Sequence, residues 1–367
     1  MKKIIKTIGY LLILLTADFF LSNLYFKKKE FWKYDKLLNY YWRVSSNIYH
    51  HGLMENVDVV EPWGFSLKKK LITNSIGFRD YSIREISKVP EKKRILLIGD
   101  SAIEGAGYDY EHTIGGLLQN HLSNKYEVLN SAVGSYSPGI YFKKVNHYIN
   151  EGYIFDKAII FLDPSDIIDE IFLNFDNDGN FIIEKSSSSS FSNFLVNNFL
   201  IFRVLLRVSD GTESLKNFLK LKYKASKKFK KSFFDTTNED TMYYRMTHVD
   251  RSAWTFDDTL FKNYKYGLEK SEKHLNKLIE LLRKSDIEIN FILYPHPSQI
   301  AYDDLYHKPY WINWAKKNNI DLISLYPEFQ SNNRRKIIFD TFIFGDLHWN
   351  KKGTKIIFNS LVNKINF

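Results

Sequence analysis

Three residues of this chain have the types that acyl transfer to a side-chain oxygen requires. One is Ser101, in Gly99-Asp100-Ser101; the other two are Asp346 and His348, in Asp346-Leu347-His348-Trp349-Asn350 near the C-terminus. A serine hydroxyl is a weak nucleophile at neutral pH and needs a neutral imidazole within hydrogen-bond reach to take its proton. The imidazole in turn needs a carboxylate that fixes its tautomer and stabilises its charged form. The negative oxygen that develops on the attacked carbonyl needs donors already aimed at it. Ser101 is therefore the candidate nucleophile, His348 the candidate base and Asp346 the candidate orienting acid. Each also has a plain structural reading: a helix N-cap serine, a histidine entering the last helix, and a turn residue before it.

The surrounding pattern supplies elements to position them. Ile95 to Ile98 is an apolar run that ends in Gly99-Asp100-Ser101, which reads as a buried strand delivering a serine at its carboxyl end. In open α/β sheets, ligands bind beyond those ends. A helix is expected near 112–123, a strand at 126–129, a helix to about 151 and a strand at 157–162. After an interruption the alternation resumes. A helix over 264–284 has apolar Leu268, Leu275, Leu278, Ile279 and Leu282 at helical period, a strand spans 287–293, a helix lies near 309–318, a short strand at 320–323 and a last helix over 351–363. Alternating strands and helices imply a parallel sheet covered on both faces.

The order and wording of these blocks resemble the SGNH/GDSL hydrolase family over roughly residues 94–170 and 263–365. The resemblance implies a three-layer α/β/α sandwich with a parallel, flavodoxin-like sheet, and an ester hydrolase working through an acyl-enzyme. It matches Gly99, Asp100 and Ser101 to the first block. The second block supplies a backbone N–H to the oxyanion hole, and here it reads Asn130-Ser-Ala-Val-Gly134-Ser135. An ungapped match places Ser135 at the family's glycine, so Gly134 and Ser135 both stand as candidates. The third block, normally Gly-x-Asn-Asp, reads Asp163-Pro164-Ser165-Asp166, so Ser165 stands where an asparagine side chain would donate. The last block is usually Asp-x-x-His; here the nearest acid is two residues before His348. An Asp-x-His-Trp version is similar, locally, to that of alginate O-acetyltransferase relatives. That likeness raises an O-acyltransferase on polysaccharide as an alternative. A second alternative is a non-catalytic, membrane-anchored glycan-binding or assembly protein with a degenerate site.

Other features bound the reading. The 367 residues, 44% hydrophobic, suffice for a sizeable core, and the absence of cysteine excludes disulfides, thiolate catalysis and cysteine metal sites. The net charge of +10 is spread along a chain rich in Lys, Asn and Ile, so no nucleic-acid partner is expected. His296, in Tyr294-Pro-His296-Pro-Ser298, and Asp100 are candidate substrate contacts. Asp163, Asp166, Asp169 and Glu170 read as a solvated strand-to-helix turn rather than a metal site, and Arg79 reads as a structural ion pair; no metal and no cofactor are expected. Lys2, Lys3 and Lys6 precede an apolar run from Ile8 to Phe26, with Lys27-Lys28-Lys29 beyond it. This reads as an uncleaved N-terminal signal anchor (1–29), one transmembrane helix in which Asp18 is either protonated or faces a partner helix, and a catalytic domain outside the cytoplasm. Residues 30–90 are expected to be a linker and an entry segment to the domain. Residues 91–367 are expected to be the hydrolase domain, with a partly helical insertion at 170–260 that holds the Ser186–Ser190 run and the basic stretch Lys216 to Lys231. The expected partners are an acylated carbohydrate or another small ester, and a membrane; the sequence does not set the oligomeric state.

Overall fold

The computed structural model describes residues 2–26, 42–63, 67–174, 181, 194–195, 198–202, 205 and 238–367. The chain forms two compact units, residues 1–42 with 184–235 and residues 43–183 with 236–367. The serine run, the basic stretch and Lys27 to Lys29 lie outside the described residues.

The first unit is built on helix α1 (Lys2–Phe20), which continues into a π-helical turn, Leu21–Phe26. The Asp18 carboxylate accepts the backbone N–H groups of Leu200 (3.2 Å) and Ile201 (3.1 Å), Asn23 donates to the Asn198 carbonyl, and Phe19 packs on Phe199. Asp18 thus meets a partner segment supplied by the insertion. The expected transmembrane span is not found: no helix among the described residues is long and apolar enough to cross a membrane. The physical reason lies in the composition of α1. Lys6 and Asp18 leave an uncharged stretch only from Thr7 to Ala17, well short of the ~20 residues a bilayer core requires.

The second unit contains a five-stranded parallel sheet. In chain order it opens with two hairpins. Strands β1 (Arg43–Ser46) and β2 (His50–Leu53) pair antiparallel, as do β3 (Asp58–Trp63) and β4 (Leu67–Ile72), with Glu61 opposite Lys69. Residues 43–90 are therefore part of the domain and not a linker. The sheet begins with β5 (Lys93–Ile98), followed by α2 (Ser101–Glu104), α3 (Ile114–Leu122), β6 (Tyr126–Asn130), α4 (Pro138–Asn150), β7 (Lys157–Leu162) and α5 (Asp166–Phe172). After the segment assigned to the first unit come α6 (Glu239–Thr247), α7 (Asp258–Lys284), β8 (Glu288–Leu293), α8 (Pro297–Ala301), α9 (His307–Lys317), β9 (Leu322–Ser324), α10 (Arg334–Thr341) and α11 (Lys351–Lys364). The expected insertion is thus narrower than 170–260, because α6 returns Met242 and Met246 to the core of the second unit.

The strand order is β6-β5-β7-β8-β9, all parallel. Counted from β5 this is the 2-1-3-4-5 order of flavodoxin-like sheets, whose ligand crevice opens where successive connections leave in opposite directions. That point lies beyond the carboxyl ends of β5 and β7. Both strands are apolar almost throughout and buried on both faces, as a helix-covered parallel sheet requires. One covering helix, α7, buries Leu268, Leu275, Leu278, Ile279 and Leu282, the stripe its sequence period defines.

Candidate active site

Ser101 is carried by the turn between β5 and α2. Gly99 makes that turn possible, since a Cβ there would lie 2.7 Å from Ile103 Cγ1 and 3.0 Å from its Cβ. Asp100 caps α2 by accepting the Ala102 N–H at 3.0 Å, which leaves Ser101 as the first helical residue, partly exposed. A first-turn N–H has no intrahelical acceptor, and the Ser101 N–H has no hydrogen bond among the described residues.

His348 arrives from the far end of the chain. The segment after α10 folds back on itself: Phe342 bridges Trp349, Ile343 N–H donates to the His348 carbonyl, and Asp346 N–H to the Ile343 carbonyl. This tight loop is why Asp-x-His serves here in place of a longer spacing. One oxygen, Asp346 Oδ1, accepts both the His348 backbone N–H (3.1 Å) and its ring Nδ1–H (2.5 Å). His348 Nε2 then lies 2.8 Å from Ser101 Oγ. The structure thus brings the three residues of the sequence-based triad into one hydrogen-bonded line.

The electrostatics follow from those contacts. Burial would raise the Asp346 carboxyl, but the His348 imidazole, with the Trp63 indole, holds it down at about 2. Burial would lower His348, and the hydrogen bond and charge of Asp346, aided by Asp100 and Asp163, reverse this and raise it above the ordinary imidazole value. Trp63 is a site residue that sequence reasoning missed. Its Nε1–H donates to Asp346 Oδ2 at 3.0 Å, and its ring meets His348 edge-on at 5.0 Å. It sits at the end of β3, far outside the recognisable blocks, and no local pattern marks it.

The oxyanion candidates separate. Ser135 has φ +62°, a left-handed conformation that glycine adopts without strain, which accounts for the glycine expected at this position. Ser135 is exposed, and its N–H has no hydrogen bond among the described residues. Gly134 lies beside the nucleophile, where a Cβ would be 3.5 Å from Ser101 Cβ, but its N–H already donates to Glu104 Oε2 at 2.8 Å. Ser165 is buried, and both its N–H and its hydroxyl engage the Asp163 carboxylate. Of these candidates, Ser101 and Ser135 have N–H groups that make no hydrogen bond among the described residues.

Behind Ser101 lies a buried acidic cluster, not the solvated turn its sequence suggested. Carboxylate oxygens of Asp100, Asp163 and Asp166 lie within 4.8 Å of one another. Tyr294 Oη donates between Asp163 (2.8 Å) and Asp100 (3.2 Å), and His296 Nε2 lies 2.7 Å from Asp163. Tyr141 Oη bonds Asp166, whose other contact is the Asp163 N–H. Glu170 pairs with His274 and Asp169 with Arg251. The carboxylates of the converging trio therefore already meet protein N–H and O–H donors. His296 is placed on Asp163 rather than on Ser101. Asp100 lies 3.1 Å from Ser101 Oγ, and burial with the Asp163 charge pushes its carboxyl up to about 6. Arg79 makes no ion pair among the described residues. It is buried and donates to the carbonyls of Glu104, Gly105 and Tyr108.

No protein-family model matches the chain, and no curated protein matches it. Among solved structures the chain is similar to the psychrotrophic esterase EstA from Pseudoalteromonas sp. (11% identity, TM-score 0.36, 74% of this chain and 96% of that one). It is also similar to a member of the lipolytic G-D-S-L family from Veillonella parvula (14%, 0.38, 74% and 98%). A third such structure is a carbohydrate acetylesterase family member from Sinorhizobium meliloti (10%, 0.36, 73% and 95%). Likeness at this level defines neither a family nor an activity, and the functional reading rests on the geometry of the site.

Proposed function

We propose that this protein is a serine hydrolase of oxygen esters that works through an acyl-enzyme. The observation that carries the reading is the Ser101–His348–Asp346 line, at 2.8 Å and 2.5 Å. His348 Nε2 takes the Ser101 hydroxyl proton as Oγ attacks the ester carbonyl. The imidazolium so formed is held by Asp346, and the tetrahedral oxygen is met by the N–H groups of Ser101 and Ser135. Collapse expels the alcohol, which takes the proton back from His348 and leaves an ester on Ser101. A water activated by His348 then attacks that ester and releases the acid. A short-chain nitrophenyl ester tests the reading. Wild type turns it over, and Ser101→Ala lowers kcat by at least about 10³, since loss of a triad member leaves only binding and oxyanion stabilisation. Equal rates in the two proteins would reject it. Adding a polysaccharide acceptor separates hydrolysis from transfer: a hydrolase still releases free acid, and an O-acyltransferase moves the acyl group to the sugar.

We further propose that the first unit seats the protein on an anionic membrane surface. Tyr10, Leu11, Leu12, Ile13 and Leu14 of α1, with Ile201 and Leu205, are each at least half exposed. Lys2, Lys3 and Lys6 flank this apolar stretch in sequence. Pairing Asp18 with two backbone N–H groups lowers the cost of bringing that carboxylate near lipid. A helical turn that exposes apolar side chains all round, preceded by lysines, offers a lipid surface both apolar contact and positive charge.

A further inference from the structure

Ser135 holds a left-handed backbone conformation that a non-glycine residue keeps only when its surroundings enforce it. The residue just before it is held on both sides, through the peptide that precedes it and the one that links it to Ser135. The Gly134 N–H donates to Glu104 Oε2 at 2.8 Å, and the Gly134 carbonyl lies 2.9 Å from His51 Nε2. A carbonyl only accepts, so His51 carries its proton on Nε2. Nδ1 faces His50 Nδ1 at 2.7 Å, and burial holds the His51 ring neutral, near 4. Glu104 in turn belongs to a buried quartet: Arg43 donates to Glu104 (2.8 Å) and Glu61 (2.9 Å), and Lys69 lies 3.0 Å from Glu104 and 3.1 Å from Glu61. Two acids and two bases balance in charge, and the side chains of Glu61 and Lys69 are 0% exposed. Such groups are costly to desolvate and are often replaceable by apolar ones without loss of stability, so stability alone is a weak reason for them. The same loop is tied from below. Lys144 donates to the Ser131 carbonyl (2.8 Å) and to Tyr136 Oη (2.9 Å), and Tyr136 Oη donates to the His51 carbonyl (2.6 Å).

We propose that the two N-terminal hairpins are a clamp on the oxyanion loop, in which His51 and the Arg43–Glu61–Lys69–Glu104 quartet grip Gly134 and so fix the Ser135 N–H as a donor. This rests on the hydrolase reading above. His51 and Glu104 are positioning residues that act through Gly134. Their removal lowers kcat while leaving KM nearly unchanged, because a displaced donor is felt mainly where negative charge develops.

The test uses the full-length chain and three variants, His51→Ala, His51→Gln and Glu104→Gln, with two readouts. The first is hydrogen–deuterium exchange over residues 131–137; the second is kcat and KM on a nitrophenyl ester. Exchange in that segment rises in His51→Ala and Glu104→Gln while β5 and β7 stay protected, and kcat falls about tenfold in His51→Ala with KM within about twofold, a size set by sub-ångström misplacement of one donor. His51→Gln, which retains a side-chain N–H, recovers most of both. Unchanged exchange overturns the clamp. Raised exchange with unchanged kcat overturns its part in the reaction. A wild type that hydrolyses no ester overturns the hydrolase reading instead, and exchange still decides whether the loop is clamped.

Discussion

At the scale of single residues, the proposed reaction makes Asp346 and His348 the pair that sets its working pH. His348 must be neutral to accept the Ser101 proton, and Asp346 raises its pKa above the ordinary 6.5. Hydrolysis therefore declines as pH falls through a value above 6.5, and a kcat/KM profile flat down to pH 5 would exclude a histidine base. Asp100 adds to the effect, because its negative charge also favours the imidazolium. Asp100→Asn removes that charge, so the acid limb moves to lower pH; a limb that stays or moves up would show that Asp100 does not act on His348. That Ser101, Asp346 and His348 come together was legible in the sequence, because acyl chemistry needs those types and the apolar strand before Ser101 announces where it emerges. Trp63, Glu104 and His51 were not. Each acts through a partner distant in sequence, and the local pattern around them carries no trace of that partner.

At the scale of elements, the sheet and the covering helices were legible within a few residues. Strand β7 spans Lys157–Leu162 as its apolar run implies, and α7 follows its stripe of leucines. The N-cap Asp257, which accepts the N–H groups of Thr259 and Leu260, starts α7 before that stripe begins. The hairpins β1–β2 and β3–β4 were hidden for a physical reason. In β3–β4 the buried face carries Glu61 and Lys69 beside Val59 and Leu71, which breaks the alternation that marks a half-buried strand, and β1 and β2 have only four residues each. The last helix offers a test at this scale. Asn350 caps α11 by accepting the N–H groups of Lys352 and Gly353, and its Nδ2 donates to the carbonyls of Asp340 and Phe342, tying α10 to the loop that carries His348. Asn350→Ala destabilises by about 1–2 kcal/mol, read as a lower urea midpoint. An unchanged midpoint would mean that the cap does not hold that loop.

At the scale of the whole molecule, the flavodoxin-like strand order gathers the site. The crevice beyond β5 and β7 receives Ser101 from the first strand and Asp163 from the third, and the final segment adds His348. The N-terminal unit makes a separate prediction. The full chain co-floats with vesicles containing anionic phospholipid at low salt and much less with neutral vesicles. Failure to float with either would remove the membrane reading and leave the chemistry untouched. The chemistry itself is tested most directly by covalent capture. A serine-directed fluorophosphonate adds one phosphonyl group to the wild type, seen in the intact mass and mapped to the peptide containing Ser101, and adds none to Ser101→Ala. Equal labelling of both proteins, or labelling at another serine, would contradict Ser101 as the nucleophile.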